Sequence, residues 1–518
     1  MTFDERAGTL TRDEIAALLA SHEQLEARVA DLTRQLDWFK QQLFGQKSER
    51  RPLGGNGRQL ALGEALPAPP APPPGITVAE HQRRRSSRSE TTESEEPLRF
   101  DATVPVEEIR LPAPALEDDH ELVSEKVTYR LAQKPASYVV LKYIRPVVKT
   151  KRDGTLSCPP APPAVLGRSL ADVSLLAGLV IDKFLYHLPL YRQHQRMEAA
   201  GIHLGRSTLT SLVHRTGDLL EPIAEALLAS IRSGRVIAMD ETPIKAGRDG
   251  PGKLKQGYFW PLYGDQAEVA FPFAPTRSHA VVRELLAGYQ GVLLSDGYEA
   301  YQRFAEKRAE VVHAQCWSHT RRQFVQAEGV EPELTETALE FIRALYEQEA
   351  LLRPKLLERE KRLEWRALHC KPIVADFFEW LKGVLRDRIL LPRNPFTEAA
   401  DYALAREKPL QVFLEDPDVP IDTNHLERQI RPIAVGRKNW LFCWTEVGAR
   451  YVGIFQSLLA TCRLQGVDPY TYLVDVLQRV DSHPANDVAA LTPRLWKDRF
   501  AAEPLRSAID LPAYHAVR

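Results

Sequence analysis

Residues 14–44 carry apolar side chains at Ile15, Leu18, Leu25, Val29, Leu32, Leu36, Phe39 and Leu43, with His22 in the remaining seam position. The steps alternate between three and four, which predicts a coiled-coil oligomerisation helix; a helix docked on its own chain is the alternative. The pattern then stops. Residues 45–100 hold proline runs and separated charge blocks without periodicity, including four arginines in 83–88. They read as a disordered Pro/Arg-rich linker whose arginines either touch phosphates or are simply solvated. From 101 to 165, short alternating stretches such as VTYRL and SYVVLKYIRPVVK predict a small β-rich module. Lys142 to Arg152 contributes five basic residues and no acid. That suits nucleic-acid backbone contact, and a sheet edge protected by cations reads the same.

Residues 166–225 read as helical. Within them, LYRQHQRMEAAGIHLGRSTLTSLVHR gives a helix, a turn at Gly201 and a second helix opening at Ser207 or Thr208. This is a helix-turn-helix pattern, with Arg206, Ser207 and Thr208 placed for DNA contact, although an αα-hairpin in any bundle has the same form.

Two short apolar runs further on each end in an aspartate. Val236 to Met239 runs into Asp240, and Val292 to Leu294 leads to Asp296. Such runs suit central strands buried on both faces, and carboxylates at strand C-termini sit where open sheets bind ligands. Between them, GYFWPLY (257–263) and AEVAFPFA (267–274) read as a hairpin, and SHAVVRELLAG as a helix. After Asp296 follow a helix, EAYQRFAEKR, and a last strand, AEVVHAQ. Strand, hairpin, helix, strand, helix, strand is the element order of a ribonuclease-H-like fold. Residues 230–324 are assigned to the first part of that core. Residues 325–415 are read as a helical insertion that core folding does not require, 420–480 as the remainder of the core, and 481–518 as a C-terminal tail.

A third acid is offered by DTNHLERQIRPIAVGRKNW (422–440). Asn424 followed by Glu427 three residues later also fits an ordinary capping box. Arg428, Arg431, Arg437 and Lys438 follow Glu427 and suit phosphates. Three carboxylates at one point repel one another, and divalent cations relieve this most simply. Oxygen ligands favour Mg²⁺ or Mn²⁺, and two such ions support an in-line phosphoryl displacement. Glu241 points to the opposite face if the strand continues through it, and so ranks below Asp240. Cys316 and His319, with His313 nearby, are a thin basis for zinc without a second ligand pair.

Together these segments resemble the transposases of the insertion-sequence-66 family, a bacterial group with a DDE-type catalytic core. The resemblance rests on DKFLYHLPLYRQ (182–193), RSTLTSLV (206–213), MDETPIK (239–245), SDGYEAY (295–301), CWSHTRRQF (316–324), DTNHLERQIRPIAVGRKNWLF (422–442) and LQGVDPYTYLVDVL (464–477), in order. It implies that Asp240, Asp296 and Glu427 are the catalytic, metal-holding acids, 131 positions separating the last two. It further implies that Cys316 and His319 shape the core and that Arg321 and Arg322 contact phosphates. The expected architecture is a multidomain α/β chain: coiled coil, helix-turn-helix region and ribonuclease-H-like core with a helical insertion. The expected activity is cleavage of element ends and transfer of their 3′-hydroxyls to target DNA, with accessory proteins as further partners. A catalytically inactive DNA-binding or assembly protein, and a nuclease without strand transfer, are the alternatives. One departure stands out. Family members carry paired CxxC motifs before the helix-turn-helix, whereas residues 100–165 here contain only Cys158, so no structural zinc is expected.

Composition narrows the picture less than distribution does. Five cysteines among 518 residues exclude a disulfide scaffold, and the acidic N-terminus lacks an apolar signal core. With no apolar run long enough for a membrane span, a cytoplasmic, nucleoid-associated location is expected. Lys plus Arg number 68 against 69 Asp plus Glu. That neutral total conceals five basic to no acidic residues in 142–152, five to three in 422–450, and an acidic excess of 19 to 16 in 321–420.

Overall fold

The computed structural model describes residues 11–44, 99–111, 120–134, 137–167, 169–250, 253–352, 358–387, 390, 393–440 and 442–510. The chain divides into two units, Met1–Ser94 and Glu95–Arg518. In the first, helix α1 (Arg12–Phe44) runs for 33 residues, about 50 Å at helical rise. Its Ile15, Leu18, Leu25 and Val29 are exposed. The linker expected over 45–100 lies outside the described residues except at its end, where Arg99–Phe100 form strand β1.

In the second unit, β2 (Val106–Arg110), β3 (His120–Lys134), β4 (Ser137–Thr150) and β5 (Leu156–Ser157) form a sheet. β4 lies between parallel β2 and antiparallel β3. The basic strand is therefore central, and the edge-protection reading fails. Lys142 pairs with Glu108 at 2.5 Å, and Arg145 donates to the Pro159 carbonyl at 3.2 Å, so two of its cations hold the module together.

The apolar run that is too short for a membrane forms α2 (Val173–Phe184), a helix buried at almost every position. The Asp172 carboxylate caps it, accepting from the Ser174 amide at 2.9 Å and from the Ser507 hydroxyl at 2.6 Å. α3 (Leu190–Ala199) turns at Gly201 (φ 78°), where a left-handed conformation is needed. β6 (Ile202–His203) pairs with β1, and α4 (Arg206–Ser233) follows.

The central sheet contains β7 (Val236–Met239), β10 (Leu262–Gly264), β11 (Glu268–Ala270), β13 (Gly291–Ser295) and β14 (Val311–Gln315), in the order β11-β10-β7-β13-β14. β7, β13 and β14 are parallel; β10 is antiparallel to both of its neighbours. The predicted hairpin proves to be two. β8 (Thr242–Arg248), β9 (Leu254–Phe259) and β12 (Phe273–Ala274) make a separate antiparallel sheet. The chain passes between the sheets at Trp260-Pro261 and Phe271-Pro272, where proline removes the ladder donor. α5 (His279–Leu285) precedes β13, and α6 (Glu299–Glu306) lies between β13 and β14.

α7 (Trp317–Val325) leaves β14 and leads into the insertion: α8 (Pro332–Leu352), α9 (Arg359–Trp365), a π-helical turn at Arg366–Cys370, α10 (Lys371–Asp387), α11 (Pro395–Leu404) and α12 (Glu407–Glu415). These helices share one core with the sheet. Phe377, Phe378 and Phe396 pack around Trp317 and Phe324 of α7, and the Trp317 indole donates to the Leu410 carbonyl at 2.9 Å. Trp317 is only 1% exposed and the insertion supplies its surroundings, so the insertion packs as part of the core.

α13 (Asn424–Trp440) carries Glu427. α14 (Glu446–Leu464) is buried along most of its length, and its hydroxyls close the edge of the sheet. Ser457 and Thr461 accept from the amides of Phe271 and Val269 at 2.8 and 3.1 Å. α15 (Pro469–Arg479), a 3₁₀ turn and α16 (Pro493–Arg499) finish the unit, with Trp496 donating to buried Asp475 at 2.8 Å.

Candidate active site

β7 ends at Met239 because its partner β10 begins only after Pro261; the Asp240 amide reaches the Pro261 carbonyl at 3.3 Å. Asp240 accepts from the Glu241 amide at 2.7 Å. Glu241 therefore does not point away, as strand alternation would require. It joins Asp240 and Asp296 in a cluster in which one carboxylate oxygen from each lies within 4.8 Å of the others. The condition attached to Glu241, that the strand continue, is the one that fails. Asp296 follows the adjacent parallel strand β13 and accepts from the Tyr298 amide at 2.9 Å.

Glu241 is 6% exposed, ion-paired to Arg277, and accepts from the Tyr301 hydroxyl at 2.7 Å. Arg277 also stacks on Tyr298, 4.1 Å from the ring centroid. None of these supporting residues was singled out by sequence. The paired acids of MDETPIK were the available signal for Glu241. Tyr301 closes the SDGYEAY motif but was given no role there, and Arg277 carried no local mark.

Asp240 and Glu241 resist charging. Burial, opposed by the Glu241 amide and reinforced by the charges of Glu241 and Asp296, pushes Asp240 up to about 7. Burial and Asp296 likewise raise Glu241. A set of hard oxygen donors with mutual repulsion and no lysine among them fits a divalent cation such as Mg²⁺ or Mn²⁺.

Glu427, in the first turn of α13, is not part of that group. Its Oε1 lies 3.8 Å from His319 Nε2 and 3.7 Å from Arg322 Nη2, and is buried without a hydrogen-bond partner. The capping-box alternative fails here, since Asp422 accepts from the Asn424 amide at 3.0 Å and so does the capping.

Cys316 and His319 sit at the start of α7. The Cys316 sulfur accepts from the Thr423 amide at 3.2 Å and its hydroxyl at 3.3 Å, tying α7 to the loop before α13. Burial opposes ionisation of the thiol, but hydrogen bonds from His319, Ser318 and Thr423 bring it below its ordinary value. Burial lowers His319, yet Cys316 and Asp296 raise it overall. His313 is engaged elsewhere, with Nε2 2.9 Å from Ser295 Oγ.

The basic candidates are dispersed. Arg206 and Ser207 are exposed at the start of α4, with Thr208 half-buried and Arg206 stacked 5.9 Å from the Tyr191 centroid. Arg321 and Arg322 project from α7. They line a cavity of about 480 Å³ with Ser318, Arg343, Tyr346 and Asn424. Arg428, Arg431 and Lys438 are exposed along α13, while Arg437 is half-buried and donates to the Pro243 carbonyl.

Comparison with known proteins gives consistent results along the chain. Residues 168–451 match the family model described as "Transposase IS66 family", and residues 457–494 match the "IS66 C-terminal element". Residues 31–109 match "Transposase C of IS166 homeodomain". Among similar proteins is the uncharacterized protein y4qI of Sinorhizobium fredii (strain NBRC 101917 / NGR234), 30% identical over 93% of this chain and 92% of its own. Two others from the same organism, y4hP and y4jD, are 30% and 29% identical over 74% and 92% of this chain, and 73% and 96% of their own.

Proposed function

The chain belongs to the IS66 transposase family, and we propose on that premise that it cleaves DNA at the ends of an insertion sequence and transfers the resulting 3′-hydroxyls to target DNA. The observation that carries this reading is the cluster of Asp240, Glu241 and Asp296 at the ends of two adjacent parallel strands, with Glu427 beside His319 and Arg322. The core is read as ribonuclease-H-like. Its sheet has three parallel strands extended by an antiparallel pair, and the acids leave its first and fourth strands in chain order.

Asp240, Asp296 and Glu427 are assigned as the catalytic and metal-holding acids. Two arguments separate Glu427 from Glu241. The Glu241 carboxylate already has Arg277 and Tyr301 as partners, whereas Glu427 Oε1 is a buried acceptor without a donor, a vacancy that a cation relieves. Bound divalent ions supply activation of a water or a 3′-hydroxyl and neutralise charge at the leaving oxygen. The chain's own groups do the rest. Arg277 and Tyr301 fix Glu241 against the cluster. Cys316 holds α7 to the Thr423 loop, which keeps His319 beside Glu427. Arg322, with Arg321, Arg428, Arg431, Arg437 and Lys438, offers positive charge to the DNA backbone.

DNA is the partner on this reading, which also places the protein in the bacterial cytoplasm with the nucleoid. Among the described residues, no helix is long and apolar enough to cross a membrane. α3 and α4, with the Gly201 turn and Arg206, Ser207 and Thr208 at the second helix, are assigned as a helix-turn-helix that reads element ends. α1, with its exposed apolar seam, is assigned as the coiled coil that pairs protomers.

The test uses a labelled element end with Mn²⁺. Asp240→Asn, Asp296→Asn and Glu427→Gln are each expected to abolish cleavage and strand transfer while DNA binding persists. Glu241→Gln is expected to retain measurable cleavage. Full activity in any of the first three removes that residue from the site. Hydrolysis without strand transfer in the parent protein supports a nuclease instead.

A further inference from the structure

Trp444 is the one exposed tryptophan among the described residues, with 61% of its surface accessible. It is nonetheless held in place. Its neighbour Cys443 extends the three-stranded sheet: the Cys443 amide donates to the Lys245 carbonyl at 2.9 Å, and the Gly247 amide donates to the Cys443 carbonyl at 3.2 Å. Phe442 packs edge-on against the indole, 4.9 Å between centroids. The Arg248 guanidinium lies over the ring at 5.3 Å. A β-bulge between Lys245 and Arg248 sets up that stacking, and Gly247, at φ 75°, supplies the left-handed residue the bulge requires.

The surroundings are cationic. Lys245, Arg248, Lys253 and Lys255 are exposed on β8 and β9 and the turn between them, without a carboxylate partner among the described residues. Arg437 is tied to β8 through the Pro243 carbonyl, and Lys438 follows it. Against these six cations stand Asp249 and Glu446, the latter lying alongside Gly247. An exposed, rigid aromatic face backed by a guanidinium, beside strands and a turn that carry exposed lysines, matches the elements that hold single-stranded nucleic acid: base stacking with phosphate attraction.

We infer that Trp444 and Arg248 form a stacking platform for an unpaired base of the DNA strand, with Lys245 and Lys253 contacting its phosphates. The inference rests on the DNA-processing function proposed above and adds a positioning surface to it. Its place along the strand follows from the fold. Six positions of near-extended chain separate Asp240 from Ala246, the residue bridged to Cys443. At about 3.3 Å per residue this is at most about 20 Å. The platform therefore engages a base a few nucleotides from the phosphate at the carboxylates.

The experiment measures fluorescence anisotropy of the full-length protein with a blunt element-end duplex and with the same duplex carrying a single-stranded tail. The parent is expected to prefer the tailed DNA. Trp444→Ala is expected to lose about five- to hundredfold on tailed DNA with the blunt duplex unchanged, and Trp444→Phe to retain most of the preference. The fluorescence of 2-aminopurine in the tail is expected to be quenched by the parent and by Trp444→Phe, but not by Trp444→Ala. Because Trp444 is exposed, its variants should melt with the parent, which keeps the reading free of misfolding. Equal affinity of the parent for both DNAs, or a Trp444→Ala protein that still quenches 2-aminopurine, overturns the inference. Either result leaves carboxylate-dependent cleavage standing. Conversely, tail stacking with normal cleavage by Asp240→Asn leaves the platform intact and removes the proposed chemistry.

Discussion

Arg366 offers the most demanding test of how the helical insertion is built. Its side chain is 4% exposed and meets Glu349, itself 8% exposed, through two parallel bonds of 2.8 and 2.9 Å. Its Nη1 donates to the carbonyls of Phe413, Asp416 and Val419 at 2.6, 3.0 and 3.2 Å, sharing its two hydrogens among them. One side chain thus joins α8, the π-helical turn and the loop that leads to Asp422 and Glu427. Arg366→Met keeps most of the volume but leaves the Glu349 charge buried and alone. Breaking a buried pair in this way costs about 3–5 kcal/mol, enough to lower the folding equilibrium by about a hundred- to several thousandfold. Urea denaturation followed by tryptophan fluorescence measures it. The double variant Arg366→Met/Glu349→Leu, with no orphan charge, is expected to regain a large part of the loss. A single variant within about 1 kcal/mol of the parent, a size ordinary for surface changes, would refute the argument. So would a double variant no more stable than the single, because the unpaired Glu349 would then not be the cause.

Two further outcomes follow from the site and from α1. Asp240 in the folded, metal-free protein is pushed up to about 7 from an ordinary value of 3.8, so folding takes up a proton between these limits. Metal-free stability should accordingly fall as pH rises from about 4 to about 7. Thermal melts in EDTA check this, with Asp240→Asn expected to flatten the slope and added Mn²⁺ to restore stability at high pH; a parent slope of the opposite sign contradicts the assignment. Deleting residues 1–44 is expected to reduce the oligomer to monomers by light scattering. An unchanged mass would show that α1 does not pair protomers.

Asp240 and Asp296 were legible because their signal is local. Three or four apolar residues leading to an acid describe a strand buried on both faces, and the structure places both acids at strand ends. Glu241 was misjudged by one residue of strand length. Alternation applies only while the strand lasts, and β7 stops where Pro261 interrupts its neighbour. The same prolines, Pro261 and Pro272, divide the predicted hairpin between two sheets, and that signal was present in the sequence. The basic stretch around Lys142 was visible as charge, but its role depended on partners such as Glu108, 34 positions away.

From its sequence alone, the chain's family, its mixed α/β character and the two strand-end aspartates, Asp240 and Asp296, could be read. Each depends on short motifs whose chemistry survives without knowledge of their neighbours. Tertiary structure decided which acids meet. Cys316 holds a loop 107 residues away, and Glu427 comes beside His319 because of that tie. It also decided that the insertion belongs to the core, through Trp317 and the phenylalanines around it. Hydrophobic periodicity reports that a face is buried, but not against what; distant contacts select the partner, and only the folded chain contains them.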